Sequence, residues 1–249
     1  MKYMKVLLKL ISYPFSAIFY LLFGLLLLVF DPIQRICMRL FGYAAQKRSV
    51  GIFNGLLVVI LHVLGTTIRF QKSAPIPRNV PIIIVSNHQS MWDIPPIIWF
   101  LRKIHPKFIS KKELGKGIPT VSYNLRKGGS VLIDRNNPDQ ATGEIIKAAQ
   151  YISKYHRSMV IFPEGTRSRD GKPKKFHRKG LLTLFEHAPE AHVLPISINN
   201  SWKLQRYGLF PIPMFTHLTF YVHPAFKVSD YGTQELIDKL EALIKSKVV

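Results

Sequence analysis

The pattern of apolar and polar positions changes character near residue 65. Residues 10–30 carry no charged side chain, and Pro14 to Phe30 is almost wholly apolar or aromatic, close to the ~20 residues that a membrane-spanning helix needs. A second apolar segment, Ile52 to Gly65, is shorter and holds His62, which suits an interfacial or half-inserted helix better than a full crossing. Past a turn-rich stretch, Gln71-Lys72-Ser73-Ala74-Pro75-Ile76-Pro77, short β-rich apolar runs alternate with longer helical ones. Strands are expected over residues 80–85, 107–109, 130–133, 159–162, 192–198 and 218–222. Helices are expected over 94–103, 137–155 and 179–187, with a closing amphipathic helix over 233–247. This alternation predicts an α/β fold, a mixed, mainly parallel sheet flanked by helices. It divides the chain into N-terminal membrane-associating helices, 1–65, and an α/β domain, 66–249. A chain of 249 residues buries one sizeable core, which argues against two independent enzymatic domains.

Charge narrows the partners. The formal net charge is +21, from 35 Lys and Arg against 14 Asp and Glu, which favours phospholipid headgroups, nucleic acid or phosphate-bearing cosubstrates. The apolar N-terminus turns that choice towards a membrane, since a nucleic-acid module rarely needs one. Lys2, Lys5 and Lys9 form a basic leader, so a secretory signal is the competing reading, but no small-x-small cleavage site follows. Arg35, Arg39, Lys47 and Arg48 lie on the other side of the first segment, so the positive-inside rule gives no direction. Two helices that enter one leaflet and return to the same face would produce that symmetry; one or two true spans are the alternative. The single cysteine, Cys37, allows no intrachain disulfide and no thiolate metal cluster, and reads as a small hydrophobe.

Two polar islands interrupt the apolar pattern, each directly after a strand-like run. Asn87-His88-Gln89-Ser90-Met91-Trp92-Asp93 sets an imidazole five residues before a carboxylate, a general base with an orienting acid. Phe162-Pro163-Glu164-Gly165-Thr166-Arg167-Ser168 supplies a carboxylate, a flexible turn and a guanidinium suited to a phosphate. In a helix a spacing of five sets side chains ~140° apart, so His88 and Asp93 meet only if His88 lies on a turn. Pro95-Pro96 places the helix start just before them, because proline is tolerated only in a helix's first turn. The bland alternatives are a helix cap for Asp93, alone or with Ser90 as a capping box, and a buried, hydrogen-bonded histidine for His88. For the second island the bland alternative is a strand-to-loop turn carrying a surface ion pair.

Rival chemistries can be weighed the same way. Ser86 and Ser90 flank His88, so a Ser-His-Asp acyl-enzyme is an alternative, but no Gly-x-Ser-x-Gly surrounds either serine. His105, His156, His177 and His187 form no ligand group with His88, so no metal is expected. Two basic clusters, Lys172/Lys174/Lys175/Arg178/Lys179 and Arg102/Lys103/Lys107/Lys111/Lys112/Lys116, read as solvated faces or as attraction to an anionic bilayer, ~1 kcal/mol per charge.

The two islands occur in order with Lys111-Lys112-Glu113-Leu114 and Ile133-Asp134-Arg135 between them and Leu194-Pro195-Ile196 after them. In that order and spacing, roughly over residues 80–200, the chain resembles the lysophosphatidic acid acyltransferase family. The resemblance implies direct transfer of a fatty acyl group from acyl-CoA or acyl carrier protein to the sn-2 hydroxyl of lysophosphatidic acid, without covalent intermediate or further cofactor. It implies His88 as base and Asp93 as its orienting acid. Glu164, Gly165, Thr166, Arg167, Arg135 and Lys179 become the acceptor-binding set, and Pro195 shapes the acyl-donor site. It also implies a two-helix monotopic anchor, on the cytoplasmic face of the cell inner membrane, and no nucleic-acid partner. Tyr123 to Gly129 departs from the commonest family pattern, which leaves glycerol 3-phosphate or another lysophospholipid as alternative acceptors. From a different class, a non-catalytic basic protein tethered to membranes or nucleic acid by charge would predict no loss on His88→Ala.

Overall fold

The computed structural model describes residues 2–249; the side chains of Lys2 and Lys5, two cations of the basic leader, lie outside the described residues. Hydrogen bonding makes a long helix, α1, of Lys2–Ile60, broken at Gly42 with φ 75° and ψ −170°. That conformation is open essentially to glycine alone. It folds the chain back: the Phe30 and Phe53 rings lie 5.4 Å apart, whereas a straight helix would hold those residues about 35 Å apart. The N-terminal region is thus two helical limbs, 2–41 and 43–60, each longer than its apolar run, because the polar stretch between the runs is also helical. A short 3-10 turn, Leu61–Leu64, ends the second limb, and Gly65 caps it in the left-handed region.

The sheet is mixed and mainly parallel, in agreement with the sequence. Its strands are β1 (Thr67–Lys72), β2 (Ile82–Ser86), β3 (Pro106–Lys111), β4 (Val131–Ile133), β5 (Ser158–Ile161), β6 (His192–Asn199), β7 (His217–Val222) and β8 (Phe226–Lys227). They run in the order β1-β7-β6-β2-β5-β3-β4, with β8 also paired to β6. The pairings β1–β7, β6–β2, β2–β5, β5–β3 and β3–β4 are parallel. Only β7 and β8 meet β6 antiparallel.

Every residue of β2 is buried, and alternation of side chains splits the strand between two cores. Ile82 and Ile84 join Phe19, Phe53, Trp92 and Ile97 on the face covered by α1 and α2 (Ile94–Phe100). Ile83 and Val85 join Ile152, Leu184 and Leu240 on the face covered by α4 (Pro138–Tyr155), α5 (Arg178–His187) and α6 (Thr233–Lys245), while α3 (Val121–Lys127) packs on α1. Covering on both faces is why β2 reads as a continuous apolar run. The α1 limbs share a core with the sheet, so residue 65 separates helix from sheet without separating two cores.

Three elements differ from expectation. β1 was hidden by its polar outward residues Thr67, Arg69 and Gln71; only Ile68 and Phe70 pack inward, and edge strands tolerate such faces. The two-residue β8 and the single-turn-pair α3 are too short to show a periodicity. The aromatic-rich stretch after Trp202 packs against the domain: Ile212 N–H donates to Ser16 Oγ (2.8 Å) and Tyr20 Oη donates to the Leu209 carbonyl (2.5 Å) on α1.

Candidate active site

Parallel neighbours bring their C-terminal ends to one edge, where open α/β sheets bind ligands. The first island follows β2 and the second follows β5, while Lys112 follows β3 and Asp134-Arg135 follow β4. Motifs spread along the chain from His88 to Ser168 therefore share one edge.

At the end of β2 the chain turns through Asn87, whose side chain exchanges hydrogen bonds with the Ile198 backbone of β6 at 2.8 and 2.7 Å. His88 then lies outside any helix, and a 3-10 turn, Met91–Asp93, leads into α2 with Pro95 and Pro96 in the first turn. Ser90 and Asp93 form a capping box. Asp93 is at once part of the cap and the partner of His88: one carboxylate oxygen accepts from Gln89 N–H (2.8 Å), Ser90 N–H (3.0 Å) and His88 Nδ1 (2.8 Å). Its other oxygen accepts from Ser201 Oγ. Asp93 is fully buried, and a buried carboxylate is stable only when its lone pairs are matched in this way.

Because Nδ1 donates to Asp93, the neutral ring carries its free lone pair on Nε2. Nε2 has no hydrogen-bond partner among the described residues, and the side chain is 16% exposed. Phe162 stacks on the imidazole at 4.1 Å between centroids and 15° between planes, which fixes the ring from the second island. Ser168 N–H donates to the His88 carbonyl at 2.8 Å and ties the islands directly. Ser86 and Ser90 are fully buried; Ser86 donates to the Asn87 carbonyl and Ser90 accepts from Trp92 N–H. Neither serine is placed to be a nucleophile activated by His88.

Glu164 is 1% exposed and neither of its oxygens has a hydrogen-bond partner among the described residues. Burial pushes its carboxyl up to about 7, while the nearby Lys174 and His88 backbone amides and the Lys174 ammonium act in the opposite direction. Arg167 is exposed and donates to Gln205 Oε1 at 3.3 Å. Gly165 has φ +70°, and a Cβ there would lie 3.0 Å from His177 Cδ2, so glycine allows both the turn and the close packing. Thr166, Arg135 and Lys179 are exposed, Lys179 in the first turn of α5. Asp134 pairs with Lys112 rather than with Arg135.

Pro195 is buried within β6 opposite Val85. Residues from Ile196 onward pair with β7 and residues up to Val193 with β8. The missing proline N–H falls in the gap between the two antiparallel partners, which is how a central strand accommodates it. Ser201 lies outside both islands; Gln89, within the first, accepts from Ser201 N–H through its Oε1 at 3.1 Å. The available signal was Asn199-Asn200-Ser201, a polar cluster closing an apolar strand as the two islands do.

This edge brings together an imidazole of fixed tautomer, a buried carboxylate and a basic rim, held by backbone hydrogen bonds. Residues 67–199 match the family model described as Acyltransferase. The chain is 28% identical over 195 residues to the 1-acyl-sn-glycerol-3-phosphate acyltransferase of Limnanthes douglasii, covering 75% of this chain and 63% of the relative. It is 37% identical over 163 residues to the enzyme of the same name from Helicobacter pylori (strain J99), covering 64% of this chain and 62% of the relative. Just under two thirds of those relatives' length is thus spanned. The crystal structure of the 1-acyl-sn-glycerophosphate acyltransferase PlsC from Thermotoga maritima superposes with a TM-score of 0.68 at 27% identity, covering 99% of this chain and 95% of that one. The chain belongs to the acyltransferase family.

Proposed function

We propose that the protein transfers a fatty acyl group from acyl-CoA or acyl carrier protein to the sn-2 hydroxyl of 1-acylglycerol 3-phosphate, giving phosphatidic acid. The observation that carries this reading is the His88 Nδ1–Asp93 contact of 2.8 Å, with Nε2 left unpartnered beside the second island. Nε2 accepts the hydroxyl proton as the oxygen attacks the thioester carbonyl. A C–O bond forms, the C–S bond breaks, and the proton passes from the imidazolium to the leaving thiolate. Asp93 orients the imidazole and stabilises its charged form. No cofactor is required beyond the acyl donor. Arg167, Arg135 and Lys179 supply cations for the acceptor phosphate; Glu164 and Gly165 shape the acceptor pocket with Thr166; and Pro195 holds the strand end against which the donor lies. The names of the similar proteins support this acceptor.

α1 provides the membrane attachment. It is long and apolar enough to cross a bilayer, yet it folds back at Gly42 and keeps one side on the sheet, so it lies in one leaflet. Leu21, Leu25 and Leu28, at helical spacing, are 73%, 55% and 66% exposed, a stripe suited to lipid. The attachment is to the cytoplasmic face of the inner membrane, where the donor is soluble. The test is phosphatidic acid formation by detergent-purified protein from lysophosphatidic acid and a long-chain acyl-CoA or acyl carrier protein, with glycerol 3-phosphate as competing acceptor. Product from wild type but not from folded His88→Ala supports the reading; equal rates would overturn it and leave the charge-tethered alternative.

A further inference from the structure

A cleft opens at the N-terminal edge of the same sheet. The chain enters β2, β3 and β5 there through Asn79, His105 and His156, all with positive φ (57°, 60° and 48°), and all three line one cleft of about 280 Å³. Lys47, Lys103 and Arg157 also line it. A smaller adjoining pocket shares Lys47 and His105 and reaches Arg102 and Lys107. Neither pocket is lined by an Asp or Glu.

These cations are held by everything except an anion. Arg157 packs over the Tyr43, Tyr151 and Tyr155 rings at 4.6, 5.1 and 4.7 Å, and His105 shares its Nε2 with Tyr43 Oη at 2.7 Å. Lys107 is 4% exposed, and neither it nor Lys47, Lys103 or Arg157 has an ion-pair partner among the described residues. Lys47, Arg102, Lys103, Lys107 and Arg157 thus crowd around two adjoining pockets with no carboxylate among their linings; burial first, and then Arg157 and Lys47, lower the Lys107 ammonium to about 7. A phosphate in the cleft would offset that crowding of like charge.

We infer that this cleft is a second anion site, separate from the catalytic edge, that takes the phosphate of an anionic phospholipid headgroup. Its place beside the bend of α1 favours a lipid source. Tyr43 and Lys47 begin the second limb, and Leu40 and Phe41, just before the bend, are 67% and 71% exposed; on the membrane attachment proposed above, the cleft lies where the helix pair meets the headgroup layer. The parallel strands hold it ~15–20 Å from His88, which keeps a lipid bound here out of the reaction.

Site-resolved acetylation of the full-length protein tests this, read by mass spectrometry with phosphatidylglycerol-containing vesicles, phosphatidylcholine vesicles or inorganic phosphate as probes. Phosphatidylglycerol should slow labelling of Lys47 and Lys103 several-fold relative to phosphatidylcholine, with Lys239 on α6 as the unaffected reference. Lys107→Met should melt higher than wild type without lipid and lose the stabilisation that phosphatidylglycerol confers. Equal labelling in both vesicles, with Lys107→Met still stabilised by phosphatidylglycerol, would overturn the site. Protection by inorganic phosphate alone, matching that of the vesicles, would overturn the lipid assignment. Neither readout depends on acyl transfer, so failure here is distinguishable from failure of the proposed reaction.

Discussion

The two ends of the parallel strands treat charge in opposite ways. At the C-terminal end, Asp93 is fully buried and matched by two backbone N–H groups, an imidazole and a hydroxyl. At the N-terminal end, Lys107 is nearly as buried and has no carboxylate partner among the described residues, with the Tyr43 ring at 5.4 Å. A buried charge with every partner in place is preorganised to orient another group; a buried charge without one is prepared to receive a partner. Glu164 is the exception at the catalytic end, a buried carboxylate that has no partner and rises to about 7.

Removing the base gives the sharpest separation of the two ends. His88→Ala should lower kcat by ~10⁴-fold in steady-state assays, with a melting temperature lowered by the lost Asp93 contact but the response to anionic lipid unchanged. Next, Asp93→Asn should lower kcat by roughly 10³-fold and also destabilise the fold by ~1–3 kcal/mol, because it breaks the capping box along with the tautomer lock. Glu164→Gln acts on stability with a defined sign. The Glu164 carboxyl is raised from 4.5 to about 7 in the fold, so its contribution to stability is fully present below pH 4.5 and is lost as pH rises through 7. Thermal melts should show the Gln variant more stable than wild type by on the order of 2–3 kcal/mol above pH 7, the difference vanishing in acid.

Gly42→Ala tests the other end, since the bend places Tyr43 and Lys47 against the cleft. It should cost ~1–3 kcal/mol in denaturant unfolding and weaken the anionic-lipid response while leaving kcat within about twofold. The smallest effect on stability is expected for Ser201→Ala, which removes one donor to Asp93: ~1 kcal/mol, with about a tenfold loss of kcat. A null result there would mean that the backbone donors of Gln89 and Ser90 suffice to hold the carboxylate.

Much of the catalytic end was legible because it is local. His88 and Asp93 lie within one turn and the start of one helix, and the prolines at 95 and 96 mark where that helix begins. Ser201 was not legible, since it reaches Asp93 only through the pairing of β6 with β2. The basic run from Arg102 to Lys116 looked like one patch in the sequence. β3 divides it, with Arg102 and Lys103 before the strand and Lys111 and Lys112 at its far end, ~20 Å apart. β1 was missed because an edge strand needs only one apolar face.

By itself, then, the sequence determined whatever depends on neighbours along the chain: the strand and helix periodicities, the apolar length of α1, the turn that carries His88 and the capping box that holds Asp93. Only the tertiary structure decided which strand ends share an edge, that Glu164 is buried without a partner, and that α1 folds back on the sheet. It also decided that Lys47, Lys103, Lys107 and Arg157 converge where no carboxylate is near. The reason is physical: hydrophobic periodicity is set residue by residue, whereas burial and electrostatic pairing depend on which distant segments the sheet order brings into contact.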